Sequence, residues 1–142
     1  MLLKRSFSSK INTGVVNFWL LISRVAAGAM MLLHGIPKFH QLMAGNIQFA
    51  DPFHIGMASS LALTVFAEAG CSILLILGLA TRLATIPLII TMLVAIFSIH
   101  AADPFGKKEL AVIYLLLFTG CCILGAGKFS IDHLISKKGG GR

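Results

Sequence analysis

Charged residues are scarce in this chain: only 12% of its 142 residues are Asp, Glu, Lys or Arg, about half the share in an ordinary soluble domain. Combined with 57% hydrophobic residues, this composition excludes a water-soluble globular domain. The 12 Lys and Arg residues exceed the five acidic ones, but they do not indicate a nucleic-acid partner. Most of them lie at the ends of apolar segments, where basic residues set the orientation of a membrane protein.

Motifs for several kinds of chemistry are missing as well. The sequence has no CxxC, no haem-attachment CxxCH, no GxSxG and no phosphate-binding glycine loop. It also lacks the HxxxH and ExxH spacings of metal ligands, so we predict no metal site. Cys71, Cys121 and Cys122 lie inside apolar blocks, and their odd number argues against a disulfide framework. We interpret them as small residues at helix contacts rather than as a redox-active group.

The chain instead contains four apolar blocks, each close to the roughly 20 residues that a transmembrane helix needs. The blocks cover residues 15–37, 58–80, 83–101 and 109–127. Two of the connections are short, which makes successive helices antiparallel. The sequence therefore predicts an all-α integral membrane protein, a four-helix up-down transmembrane bundle over residues 15–132. An N-terminal cytoplasmic segment (1–14) precedes it and a flexible basic tail (133–142) follows it.

The distribution of positive charge predicts that both termini face the cytoplasm. The cytoplasmic side would carry Lys4, Arg5, Lys10, Arg82, Lys128, Lys137, Lys138 and Arg142. The opposite side would carry Lys38, Lys107 and Lys108, diluted by Asp51, Asp103 and Glu109. The one long connection, residues 38–57, is rich in apolar side chains. We expect it to be either an interfacial linker or a segment that folds back over the outer mouth of the bundle.

Two ionisable residues lie far from the ends of the predicted spans, where charge is costly. Arg24 in the first span and Glu68 in the second are separated by about 7 Å along the membrane normal, at 1.5 Å per helical residue. An arginine side chain covers such a distance, and a nearby Arg keeps a buried Glu ionised. We therefore predict an Arg24–Glu68 ion pair. It would either fix the helix register or form a proton or ligand site near the midplane.

A second polar group is predicted near the outer face of the membrane. His34 and Lys38 end the first span, His100 ends the third and Glu109 begins the fourth, with Asp103 in the adjacent loop. These side chains could hold a quinone head group by hydrogen bonds. The alternative is that the histidines only satisfy carbonyl groups of the loops.

Four short motifs, together with Arg24, Gly28, Glu109 and Tyr114, resemble the DoxX family in their order and spacing. The motifs are HGIPKF at residues 34–39, FAEAG at 66–70, LGLATR at 77–82 and GAGKFSID at 125–132. This resemblance implies a multi-pass protein of the bacterial inner membrane that is associated with redox systems. By matched position it assigns importance to Arg24, His34, Lys38, Glu68, Arg82, Glu109 and Asp132.

The function expected from this resemblance is that of a small redox-associated membrane subunit that interacts with quinone, such as a subunit of a quinone-linked oxidoreductase. A non-catalytic scaffold or accessory subunit of a larger membrane complex is the main alternative, and a small transporter is a less favoured one. The expected partners are the lipid bilayer, a partner membrane or redox complex and, as an open alternative, a second copy of the chain.

Overall fold

The computed structural model describes residues 10–139, and every regular element within this range is a helix. The helices are α1 (Thr13–Met43), α2 (Met57–Leu77), α3 (Thr81–Ile99), α4 (Phe105–Leu124) and α5 (Ile131–Gly139). The first four pack side by side, and each runs antiparallel to its predecessor. We call the end that carries residues 78–80 the turn end, and the end that carries residues 44–56 and 100–104 the loop end.

Helix α1 is longer than the sequence predicts. The side chain of Asn12 caps its first turn by accepting hydrogen bonds from the amides of Gly14 and Val15. The helix then continues through Pro37 to Met43, although we expected it to end at Pro37. Proline removes one backbone hydrogen bond, a loss that membrane helices tolerate when neighbouring groups satisfy the freed carbonyl. Lys38 consequently lies within a packed helix rather than in a connection.

The turn between α2 and α3 is tight and is held by the segment that follows α4. Gly78 and Ala80 both have positive φ, at 66° and 48°. The carboxylate of Asp132 accepts hydrogen bonds from the amides of Ala80 (2.7 Å) and Thr81 (2.9 Å), and so caps the first turn of α3. Asp132, which matches the family motif, thus has a structural role. The first amides of a helix lack partners within the helix, and the carboxylate of Asp132 accepts hydrogen bonds from them.

Two glycines on one face of α1 allow it to approach α2 closely. A β-carbon at Gly28 would lie 2.7 Å from a side-chain carbon of Ile76, and one at Gly35 would lie 2.6 Å from the carbonyl carbon of Glu68. Small residues at such positions are typical of helix contacts in membranes. The two contacts also fix the register, since Gly28 lies level with residues 72–76 and Gly35 lies level with Glu68.

Apolar side chains fill the interior and also cover the outside of the bundle. The core contains Ala27, Met31, Cys71, Leu75, Ala84, Leu88, Met92, Tyr114, Phe118 and Cys121. Large apolar residues such as Leu33, Phe97 and Leu116 are about 70% exposed on the exterior, as expected for helices that contact lipid. Helices α1, α2 and α3 are each long and apolar enough to cross a membrane. Helix α4 has a similar length but carries Lys107, Lys108 and Glu109 near its start.

The described part of the C-terminal region is helical. Residues 131–139 form α5, a two-turn helix with Asp132 at its start and Lys137 and Lys138 at its end. This charge order suits the helix dipole. Residues 1–9 and 140–142, which belong to the predicted terminal segments, lie outside the described part of the chain.

Candidate functional site

A buried ion pair joins α1 to α2 in the loop-end half of the bundle. The ammonium nitrogen of Lys38 lies 2.6 Å from Oε1 and 2.5 Å from Oε2 of Glu68. The Glu68 side chain is only 5% exposed, whereas that of Lys38 is 28% exposed. A charged group this deep in an apolar bundle is costly unless an opposite charge pairs with it, and Lys38 and Glu68 pair with each other.

The predicted Arg24–Glu68 ion pair is wrong. Arg24 is buried, but its guanidinium donates hydrogen bonds to the carbonyls of Leu75, Ile76 and Phe129, at the turn end of the bundle. Glu68 lies level with Gly35, which is 11 residues beyond Arg24, or about 16 Å along the helix at 1.5 Å per residue. An arginine side chain does not cover that distance. Arg24 therefore satisfies the last carbonyls of α2 and holds the closing segment after α4.

The backbone around Glu68 departs from regular α-helix. Residues Phe66–Cys71 form a π-helical segment, and Ala95–Ile99 at the end of α3 form a second one. Single π turns within α-helices are rare and occur frequently at functional sites. Nothing in the local sequence signals either segment. The segment Phe66–Cys71 and the close contact at Gly35 together fix the position of the Glu68 side chain relative to Lys38.

Both π-helical segments face a cavity of about 520 Å³ that lies between α2, α3 and the loop. Lys38 and Glu68 provide the charged part of its wall, and His100 is a further polar residue of that wall. The other lining residues are mostly apolar: Phe49, Ala50, Pro52, Phe53, Ile55, Ser60, Leu63, Thr64, Phe66, Ala67, Pro87, Ile90, Thr91, Val94, Ala95 and Ile99. An apolar pocket with a few polar groups is the usual form of a small-molecule site.

The loop of residues 44–56, which we call the cavity loop, folds over this cavity. Of the two predicted arrangements, the structure has the one in which the connection folds back over the bundle. Asp51 holds the loop: its carboxylate accepts hydrogen bonds from the Ser60 hydroxyl (2.7 Å) and from the amides of Gly56 (2.8 Å) and Ile55 (3.1 Å). These bonds, that of Ser60 first, lower the pKa of Asp51 below its ordinary value, so the carboxylate is ionised at neutral pH.

A histidine–aspartate pair lies where α3 ends. Nδ1 of His100 is 2.7 Å from Oδ2 of Asp103, and Lys107 lies 3.7 Å from the other oxygen of the same carboxylate. The hydrogen bond with His100 is the main reason why the pKa of Asp103 is lower than its ordinary value. The pair follows the second π-helical segment directly, and His100 reaches the cavity wall.

The four residues predicted to surround a head group do not all meet. Lys38 and His100 line the cavity, but His34 and Glu109 are not among the lining residues. His34 is exposed one helical turn before Lys38, with its ring edge-on to Tyr114 at a centroid distance of 6.1 Å. Glu109 is exposed on α4. Their predicted place in the site is thus corrected, because neither side chain contributes to the cavity wall.

The three cysteines do not belong to this cavity. Cys71 and Cys121 are buried in the core, Cys122 is partly buried, and all three are free thiols. Within residues 10–139, no group of three or more His, Cys, Asp or Glu side chains is arranged to hold a metal ion. The chemistry of the cavity therefore depends mainly on its ionisable groups: the ammonium of Lys38, the carboxylate of Glu68 and the imidazole of His100.

The fold and the cavity define an α-helical membrane protein with a polar group enclosed near one end of its bundle. Comparison with known proteins gives its family: the DoxX family model matches residues 19–101, and the chain belongs to the DoxX family. The matched region contains the whole of α2 and α3, and both Lys38 and Glu68.

Curated relatives agree with this assignment. An uncharacterised protein of Haemophilus influenzae is 34% identical over 132 residues, covering 85% of this chain and 93% of the relative. A Bacillus subtilis protein named "Putative oxidoreductase CatD" is 32% identical over 119 residues, covering 82% of this chain and 87% of the relative. An uncharacterised membrane protein of Mycobacterium tuberculosis is 32% identical over 138 residues, covering 81% of this chain and 80% of the relative. No solved structure matches the chain.

Proposed function

We propose that this protein is a quinone-binding membrane subunit of a redox system, and that the head group binds in the cavity beside Lys38 and Glu68. The observation that carries this proposal is the buried ion pair in the wall of an otherwise apolar cavity of about 520 Å³. An oxidoreductase name borne by a Bacillus subtilis relative supports the redox association.

The hydrogen-bonding groups suit a quinone head group. A quinone carbonyl accepts hydrogen bonds, and the ammonium of Lys38 has three donors, of which Glu68 occupies only a part. Because the ion pair has no net charge, a neutral ligand brings no unpaired charge into the bundle. A charged substrate such as a carboxylate would have to compete with Glu68 for the same ammonium group.

The apolar walls suit the isoprenoid chain of such a lipid. Side chains from α2, α3 and the cavity loop surround the cavity, and Phe66 and Ile90 in its wall are themselves more than half exposed on the exterior of the bundle. A ligand with an apolar tail can therefore bury its head group beside Lys38 while its tail contacts the same surface as the membrane lipid.

We also propose that α4 is a fourth transmembrane helix and that both termini face the cytoplasm of a bacterial inner membrane. Helix α4 packs antiparallel to α3: the guanidinium of Arg82, at the start of α3, donates to the carbonyl of Ile123, at the end of α4. Its charged first turns then lie beside the cavity loop, at the membrane surface. The basic residues of the turn end and of α5 follow the positive-inside rule.

Binding of a short-chain quinone to the purified protein in mild detergent, measured by equilibrium dialysis, tests the proposal. The double variant Lys38→Met, Glu68→Leu removes both charges, a change that is often neutral for stability. We expect its affinity to fall roughly tenfold to hundredfold, the equivalent of one charge-assisted hydrogen bond. Lys128→Met, a lysine substitution at the exposed turn end, is the matched control and should bind like the wild type.

A different result would favour the scaffold alternative. If the wild-type protein neither retains quinone on purification nor binds added quinone, the proposal is wrong. Crosslinking in native membranes would then be decisive, because a scaffold subunit is expected to form a product of fixed stoichiometry with one partner or with a second copy of itself.

A further inference from the structure

His100 has one ring nitrogen that is already committed. An ionised carboxylate only accepts hydrogen bonds, so the 2.7 Å contact between Nδ1 of His100 and Asp103 requires the proton on Nδ1. The lowered pKa of Asp103 agrees with an ionised carboxylate at neutral pH. In neutral His100 the other ring nitrogen, Nε2, is therefore unprotonated and can only accept a hydrogen bond.

The backbone holds this arrangement in place. The amide of His100 donates to the carbonyl of Ala95, across the π-helical turn, and the amide of Asp103 donates to the carbonyl of His100 (3.0 Å). Charged groups lie on both sides of the ring. Asp103 and its neighbour Lys107 are on one side, and Lys108 donates to the carbonyl of the next residue, Ala101 (2.8 Å). Lys38 and Glu68 share the cavity wall with the ring. Because Lys38 and Glu68 neutralise each other, Asp103 is the residue that sets the tautomer of His100.

Among the ionisable residues of the cavity wall, Glu68 and Nε2 of His100 are acceptors for a ligand and the ammonium of Lys38 is the donor. The hydroxyls of Ser60, Thr64 and Thr91 already donate to other groups of the protein. A quinol hydroxyl both donates and accepts, whereas a quinone carbonyl only accepts and has a partner only in Lys38.

Building on the proposed function, we propose that the cavity selects the reduced ligand, a para-dihydroxy aromatic quinol, over the oxidised quinone, and that Asp103 is the positioning residue for this selectivity. Protonation of His100 turns Nε2 into a donor. At acidic pH, where an imidazole carries both protons, the preference for the quinol should therefore weaken.

The test compares a short-chain quinol, its quinone and the quinol dimethyl ether, each by anaerobic equilibrium dialysis against the purified full-length protein at pH 8 and pH 5.5. At pH 8 we expect the quinol to bind about tenfold more tightly than the other two, equivalent to one net hydrogen bond. Asp103→Asn should reduce this ratio to about twofold or less, since an amide can also donate to Nδ1 and so release the tautomer. Nε2 can then carry the proton, which weakens binding of the quinol and gives the quinone carbonyl a second donor.

Two further variants keep a structural effect apart from a positioning effect. Glu109→Gln removes a negative charge from the same end of the bundle without altering the cavity wall, and it should leave the ratio unchanged. Asp103→Glu should restore the preference for quinol in part, because it returns a carboxylate to Nδ1. If Asp103→Asn fails to fold, the affinities of the wild-type protein for the three ligands at the two pH values still test its selectivity for the quinol.

Equal binding of quinol and quinone by the wild type at pH 8 would overturn the inference and leave the proposed function intact. A ratio that Asp103→Asn does not change would likewise overturn the role of Asp103. Failure of the wild type to bind any of the three ligands would instead refute the proposed function itself.

Discussion

Gly35→Ala tests the helix contact that places Glu68. The added β-carbon would lie 2.6 Å from the carbonyl carbon of Glu68 and 2.7 Å from its oxygen and from the amide nitrogen of Ala69. Ordinary contacts are at least 3.4 Å, so α1 and α2 would have to separate by close to 1 Å. All three atoms belong to the backbone, and no side-chain rotation can relieve the overlap.

The expected loss of stability follows from two opposing effects. Overpacking of a well-filled interior costs about 1–3 kcal/mol. Alanine favours a helix over glycine by about 1 kcal/mol, which offsets part of that cost. Because the backbone of the π-helical segment must move as a unit, we place the cost of the overlap at the upper end of this range. The expected net loss in the free energy of unfolding is about 1–2 kcal/mol.

Gly120→Ala is the matched control. It is the same substitution within α4, where a β-carbon would meet no atom within 4 Å, and we expect a gain of about 0.5–1 kcal/mol. Reversible unfolding in mixed detergent micelles, followed by circular dichroism, gives both free energies. If Gly35→Ala were as stable as Gly120→Ala, the close contact and the register derived from it would be refuted. Lower quinone affinity in Gly35→Ala is expected too, since the shift moves Glu68.

Three further predictions concern the ends of the bundle. Arg24→Gln should cost about 3 kcal/mol of stability by leaving buried carbonyls unpaired, whereas Arg82→Gln, which loses one exposed bond, should cost less than about 1 kcal/mol in the same unfolding assay. The lowered pKa of Asp51 means that its stabilisation of the cavity loop is present above its ordinary value of about 3.9 and is lost as the pH falls through the lowered pKa. Hydrogen exchange of the loop should therefore accelerate only below about pH 4, and Asp51→Asn should be fast throughout. Gly106→Cys should react with an impermeant maleimide in intact cells, and Gly139→Cys only after permeabilisation; the opposite pattern would contradict the proposed topology.

Much of the fold could be predicted from hydropathy because a lipid environment strongly restricts the backbone conformations of a spanning segment. Helices must satisfy their own backbone groups in lipid, so long apolar runs indicate helices with little ambiguity. The end of α1 was predicted wrongly because Pro37 usually stops a helix in water. In the bundle the helix continues for six more residues, and this extension is what brings Lys38 into the interior.

The partners of the ionisable residues could not be derived from depth alone. Counting from the predicted helix ends separates Arg24 and Glu68 by about 7 Å along the membrane normal, but the contacts of Gly28 and Gly35 set a register that separates them by about 16 Å. A glycine pair seven residues apart on one helix face was the available signal for this register. The π-helical segments have no such signal, because they depend on contacts between distant parts of the chain.

The central claim is that a quinone head group binds beside Lys38 and Glu68, and labelling with a photoreactive azidoquinone tests it most directly. After irradiation and peptide mapping, we expect the label on residues 49–68 and 87–100, which form the cavity wall, with loss of label when unmodified quinone competes or when Lys38→Met, Glu68→Leu is used. Label spread over the lipid-facing sides of α1 and α4, insensitive to competition and to the double variant, would contradict the claim.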